Sequence, residues 1–187
     1  MAEQIFVVRH GATEWSKSGQ HTSRTDLPLL EEGREQAAEV GEKLAGVQFD
    51  LVLCSPLLRA RETCRLAGFA DVAEICEDLK EWDYGEYEGL TTPQIRETAP
   101  DWWLWRDGCP GGETPPQIGA RVDRVLERFA ALDGNGVAFA HGHVLRVFTA
   151  RWVEMEVAAG ARFKLEAGSM GLLAYERETQ VLDRWSV

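Results

Sequence analysis

A chain of 187 residues with 44% apolar residues can bury one well-formed core, so a single domain over residues 1–187 is expected. Its formal net charge of −11 and isoelectric point near 4.9 argue against nucleic acid or an anionic membrane as partner. No stretch reads as a secretion signal or membrane span, which makes a cytoplasmic location the expectation, and Cys54, Cys64, Cys76 and Cys109 lack C-x-x-C spacing.

In chain order, the first apolar run, Ile5-Phe6-Val7-Val8, leads straight into Arg9-His10-Gly11. A helix is expected over residues 31–44, where apolar positions recur every three or four residues. A second run, Leu51-Val52-Leu53-Cys54, enters Ser55-Pro56-Leu57-Leu58-Arg59, with a helix over 56–66 and Pro56 in its first turn. Between 83 and 114 periodicity is lost and Gly, Pro and the tryptophans Trp102, Trp103 and Trp105 collect, the composition of a short lid insertion. Packing of that lid is the expectation for two of the three indoles. Helical spacing returns over 115–132, with Pro115 in the first turn. The run Val137-Ala138-Phe139-Ala140 then meets His141-Gly142-His143, and another helix is expected over 143–153. The C-terminal part reads as strands over 162–165, 169–175 and 181–185, the last two joined by a turn at 176–180. Short apolar strands alternating with helices predict an α/β three-layer sandwich around a mostly parallel sheet.

In such sheets ligands bind outside the carboxyl ends of the strands, so three polar clusters at three strand ends can converge. Arg9 and Arg59 offer guanidinium forks for a phosphate dianion, helix starts near Pro56 and His143 offer amides, and His141 adds a donor if protonated. A neutral His10, its pKa lowered by the cations, can attack phosphorus. The leaving alkoxide needs an acid. Glu81 is the choice, within the run of Glu77, Asp78, Glu81, Asp83, Glu86 and Glu88, where like charge and burial would keep it protonated; Asp83 is its rival. An acidic optimum follows from that pairing. His141 and His143 have a spacing that could ligate a metal, but no His-x-x-x-His pair supports it, so neither metal nor cofactor is expected. His21, in a polar loop, is either a solvated surface residue or a contact to the phosphate ester.

These motifs together resemble the histidine phosphatase superfamily, also called phosphoglycerate mutase-like, from Phe6 to about Gly171. Arg9-His10-Gly11-Ala12-Thr13-Glu14-Trp15 looks like its nucleophile motif, which implies phosphorylation of His10 and phosphoryl binding by Arg9. Ser55-Pro56-Leu57-Leu58-Arg59-Ala60-Arg61-Glu62-Thr63 looks like its second motif, implying phosphate binding by Arg59. The resemblance also implies Glu81 as proton donor and His141 as the second histidine of the phosphate pocket. Longer strings such as Glu14-Trp15-Ser16-Lys17-Ser18-Gly19-Gln20 resemble fungal sedoheptulose-1,7-bisphosphatases, and Leu90-Thr91-Thr92-Pro93-Gln94-Ile95-Arg96-Glu97 resembles mycobacterial acid phosphatases.

Ser16 and His143 stand where mutases of the family usually carry Asn, and the chain lacks their long basic insertion, so hydrolysis is favoured over isomerisation. The expected activity is metal-independent hydrolysis of small phosphorylated metabolites, sugar bisphosphates among them. The alternatives are a cofactor-dependent phosphoglycerate mutase and a non-catalytic phospholigand-binding protein. Ser16, Thr22, Ser23, Tyr84, Gly142 and His143 are the expected contacts to the leaving part of the substrate. Homo-oligomerisation stays open.

Overall fold

The computed structural model describes residues 3–187. Its elements run β1 (Gln4–Arg9), α1 (Glu14–Ser18), α2 (Glu31–Leu44), β2 (Leu51–Cys54), α3 (Leu58–Leu66), β3 (Glu74–Ile75), α4 (Thr92–Thr98), α5 (Leu104–Asp107), α6 (Pro115–Ala130), β4 (Gly136–Ala140), α7 (Gly142–Trp152), β5 (Met170–Glu176) and β6 (Thr179–Arg184). Short 3-10 turns lie at Glu77–Leu79, Gly85–Tyr87 and Val157–Arg162.

The six strands form one sheet in the order β3-β2-β4-β1-β5-β6. β3, β2, β4 and β1 are mutually parallel, whereas β5 pairs antiparallel with β1 and β6 antiparallel with β5. Register places Arg9 opposite Ala140 and Cys54 opposite Phe139, so the carboxyl ends of β1, β4 and β2 finish level on one edge.

Strand side chains alternate between faces, and each face carries its own core. Phe6, Val8, Val52, Cys54, Val137 and Phe139 pack under Val40 and Leu44 of α2 and Ala60 and Cys64 of α3. Ile5, Val7, Leu53, Ala138 and Ala140 face Val122, Val125 and Phe129 of α6 and Val144, Val147 and Phe148 of α7. This is the three-layer arrangement expected from continuous apolar strands.

Three expectations are corrected. Residues 162–165 form no strand: a 3-10 turn ends at Arg162, and the following loop turns the carbonyl of Leu165 toward Arg9, 2.6 Å from Nη1. Pro56 precedes the N-cap Leu57 and so lies outside α3 instead of in its first turn. The 176–180 turn is tighter than read, since Glu176 pairs with Thr179 and only Arg177 and Glu178 loop between, Arg177 at φ 60°. Pro115 does open α6, just after the N-cap Thr114.

Candidate active site

At the level edge of the sheet β1 ends on Arg9, and the chain leaves each strand into a polar residue: His10 after β1, Ser55 after β2, His141 after β4. The loop after His10 lies directly on α2. A Cβ at Gly11 would sit 2.1 Å from the Gly33 carbonyl oxygen, so only glycine permits this contact. The Gly11 amide donates to Thr63 Oγ1 on α3 at 3.1 Å.

His10 is buried, and its Nδ1 lies 2.7 Å from the Gly11 carbonyl. A carbonyl only accepts, so Nδ1 carries the proton and Nε2 keeps its lone pair. Burial lowers the His10 pKa well below the ordinary imidazole range, and the Arg59 and Arg9 cations lower it further. The His141 ring lies 5.2 Å from that of His10, centroid to centroid. Its Nε2 is 2.7 Å from Ser55 Oγ, and the tautomer in which Nε2 accepts the Ser55 hydroxyl proton leaves Nδ1–H as the ring donor. Burial, then the Arg59 cation and His10, lowers its pKa well below the ordinary range. In that tautomer the donor expected from a protonated His141 is available from the neutral ring.

Arg59 is buried and held by the loop at residues 22–25. Its Nη1 donates to the Thr25 carbonyl at 3.2 Å, and Nη2 to those of Thr22 at 3.0 Å and Ser23 at 3.4 Å. Among the described residues, Arg9 Nε, Arg59 Nε and His141 Nδ1 are buried side-chain nitrogens without a partner.

Glu81 is 7% exposed. Its Oε1 accepts the amides of Trp82 and Val144, and its Oε2 that of His143, each at 2.9 Å. The carboxylate thus caps the N-terminus of α7, which has no side-chain cap of its own. Of the helix-start amides expected to serve a phosphate, Glu81 takes those of His143 and Val144 on α7, and Asp26 Oδ1 takes the Leu58 amide of α3 at 2.7 Å. Asp83 is directed elsewhere, into a separate recess, where its Oδ1 accepts from Arg24.

A cleft of about 240 Å³ opens over these groups. Arg9, His10, Ser16, Thr22, Glu81, Tyr84, Gly142 and His143 line it, whereas Arg59, His141 and Ser23 do not. Ser23 is buried and bonded through its amide and hydroxyl to Glu88. Ser16 Oγ lies in a capping box with Thr13 at the start of α1. Tyr84 Oη and His143 Nδ1 are 2.6 Å apart, and burial pushes the Tyr84 pKa up and that of His143 down, so both stay neutral near neutral pH.

Seven cleft residues were not singled out from the sequence, Thr13, Trp15, Gly19, Gln20, Thr92, Arg146 and Leu165, and an eighth, His21, was left between two readings. The solvated reading of His21 is overturned, since the ring is 9% exposed, donates from Nδ1 to the Leu90 carbonyl and stacks on His143. Arg146, a turn after His141 on α7, lies over the Trp105 ring at 4.7 Å. Trp102 and Trp105 are buried and Trp103 is 41% exposed, and none of the three lines the cleft. Among the described residues no group of three His, Cys, Asp or Glu side chains is placed to hold a metal.

Comparison with known proteins yields close relatives over nearly the full length. An acid phosphatase of Mycobacterium tuberculosis is 42% identical over 185 residues, spanning 96% of this chain and 90% of the relative. The sedoheptulose 1,7-bisphosphatase of Saccharomyces cerevisiae is 39% identical over 189 residues, spanning 84% and 70%. A solved structure of an open reading frame from Mycobacterium tuberculosis superposes with a TM-score of 0.92 at 38% identity, covering 99% of this chain and 97% of the other. The sequence profile of the histidine phosphatase superfamily (branch 1) matches residues 5–187, the same span that carries the paired histidines and arginines to one sheet edge, and the chain belongs to that superfamily.

Proposed function

We propose that this phosphoric monoester hydrolase acts on small phosphorylated metabolites through a phosphohistidine formed on Nε2 of His10. One observation carries the reading. Arg9 Nε, Arg59 Nε and His141 Nδ1 are buried without protein partners around a histidine whose Nδ1 is tied to a carbonyl. Buried donors of this kind are normally satisfied, and an anion with three outer oxygens would satisfy them.

In the proposed reaction Nε2 attacks phosphorus in line, the N–P bond forming as the ester P–O bond breaks. Glu81 gives its carboxyl proton to the leaving oxygen. Water then attacks the phosphohistidine, passing a proton to the Glu81 carboxylate, and the N–P bonding pair returns to Nε2. Arg9, Arg59 and His141 hold the charge that spreads over the phosphoryl oxygens. Ser16, Thr22, Tyr84 and His143 offer neutral hydrogen-bonding groups to the leaving part, and Arg146 a further cation, a lining suited to a polyol carrying more than one phosphate. The name of the yeast relative, a sugar bisphosphatase, agrees with that choice. A cytoplasmic pool of such metabolites is the proposed setting.

The test is steady-state phosphate release with chelator present, on sedoheptulose-1,7-bisphosphate, fructose-1,6-bisphosphate, 3-phosphoglycerate and p-nitrophenyl phosphate. The wild type is expected to turn over many times and His10→Ala not at all. Wild-type rates in His10→Ala would overturn the mechanism. Isomerisation of phosphoglycerate with a bisphosphoglycerate primer, faster than phosphate release, would replace hydrolysis by mutase chemistry.

A further inference from the structure

Arg121 interrupts the apolar face of α6, between Ile118 and the residues Val122, Val125 and Phe129, and is 8% exposed. A guanidinium at such a depth is costly unless its donors are filled. All five N–H groups of Arg121 are filled. Nε donates to Glu113 Oε1 at 2.7 Å and Nη2 to Glu113 Oε2 at 2.9 Å. Nη1 donates to the carbonyls of Asp78 at 2.6 Å and Lys80 at 2.7 Å, and Nη2 to that of Glu81 at 3.2 Å. Three of the five bonds therefore end on the main chain that carries Glu81.

Glu113 returns to the same segment. Its Oε2 accepts the Asp83 amide at 2.8 Å, its carbonyl accepts Trp82 Nε1 at 3.0 Å, and its amide donates to the Asp83 carbonyl at 2.9 Å. The two strips of backbone touch without intervening side chains: a Cβ on Gly112 would lie 2.2 Å from the Asp83 carbonyl oxygen. After the 3-10 turn at Glu77–Leu79, residues 80–84 belong to no helix or strand, so no ladder of backbone bonds fixes them. The Arg121–Glu113 fork does that work from one side. The amides of His143 and Val144 fix the Glu81 carboxylate from the other.

We propose that Arg121, locked by Glu113, is a positioning residue that sets where the Glu81 carboxyl meets the leaving oxygen of the substrate. The proposal rests on the phosphatase reading above. Arg121 is absent from the cleft lining, and Glu81 borders both the cleft and the recess that Arg121 lines, so the effect passes through the backbone of residues 78–81. A lysine keeps the charge but cannot reproduce a planar fork of five donors.

The test uses the full chain with Arg121→Lys and, as a second variant, Glu113→Gln. An alkyl phosphate such as glycerol phosphate needs its leaving oxygen protonated, whereas p-nitrophenolate leaves as a stable anion. Arg121→Lys is expected to lower kcat for the alkyl ester by about ten- to a hundred-fold, with KM changed far less, because a small misplacement of an acid forfeits much of its contribution. First-turnover release of p-nitrophenolate is expected to fall at least tenfold less than that, and Glu113→Gln to shift the ratio in the same direction. Equal losses on both substrates, or no loss on either, would overturn the proposal. If Arg121→Lys does not fold, the same comparison in Glu113→Gln decides. A wild type that releases phosphate from neither ester would instead overturn the phosphatase reading itself.

Discussion

Residues outside the proposed phosphate pocket shape it through their hydrogen bonds. Glu88 accepts the amides of Ser23 and Thr25, each at 2.9 Å, and the Ser23 hydroxyl, and so shapes the loop whose carbonyls grip Arg59. Glu88→Ala leaves two partly buried amides unpaired, at about 1–3 kcal/mol of stability. It is expected to raise the inhibition constant of inorganic phosphate about tenfold through loosening of Arg59, affecting alkyl and aryl esters alike. Unchanged phosphate inhibition would show that Arg59 keeps its place without the loop. Arg9, His10, Glu81 and His141 were legible because each follows or faces a strand end or a carboxylate run. Ser55, Thr63, Glu88 and Arg121 were not, since each acts through a hydrogen bond to chain dozens of residues away, which no local pattern encodes.

At the scale of elements, β4 contributes to both cores as β1 and β2 do, with Phe139 fully buried under α2 and α3 and Ala138 and Ala140 facing α7. Phe139→Ala is expected to cost about 3–5 kcal/mol. Urea unfolding should show it as a lower midpoint with an unchanged slope, and a loss under about 1 kcal/mol would mean that the layer collapses to fill the gap. The long helices were readable because their apolar residues recur on one face: α2 matches its expected limits, 31–44, residue for residue. Short elements lack enough turns for a period to emerge. The five-residue α1 rests on its Thr13–Ser16 capping box and the two-residue β3 on pairing with β2, and neither was expected. The misread strand at 162–165 has a related cause. Phe163 packs on Trp185 while Leu165 is buried, so the alternation is real, but the Leu165 carbonyl bonds Arg9 in place of a neighbouring strand.

Over the whole molecule the α/β class followed from the alternation of apolar runs and helices, but the strand order did not, because β1 lies between β4 and β5, both of which come more than 120 residues later. That long-range pairing is also what gathers the histidines, and it gives the protein a definite response to acid. His10, His21, His141 and His143 all have pKa values lowered in the folded chain, with burial the largest cause in each. In the unfolded chain each imidazole titrates near its ordinary value of about 6.5. As pH falls through that value the unfolded chain takes up protons while the folded chain does not. Stability is therefore full above about pH 6.5 and is lost below it, at up to about 1.4 kcal/mol per pH unit for each histidine. The lowered carboxylates Asp107 and Glu166 act in the same direction but only far below this window. Thermal or urea unfolding between pH 7.5 and 5.5 should show a steep fall, and inorganic phosphate should flatten it, because an anion in the cleft favours protonated imidazoles in the folded state and stabilises that state by mass action. Stability that is flat or rises across the same window would mean that the four rings do not stay neutral together in the fold.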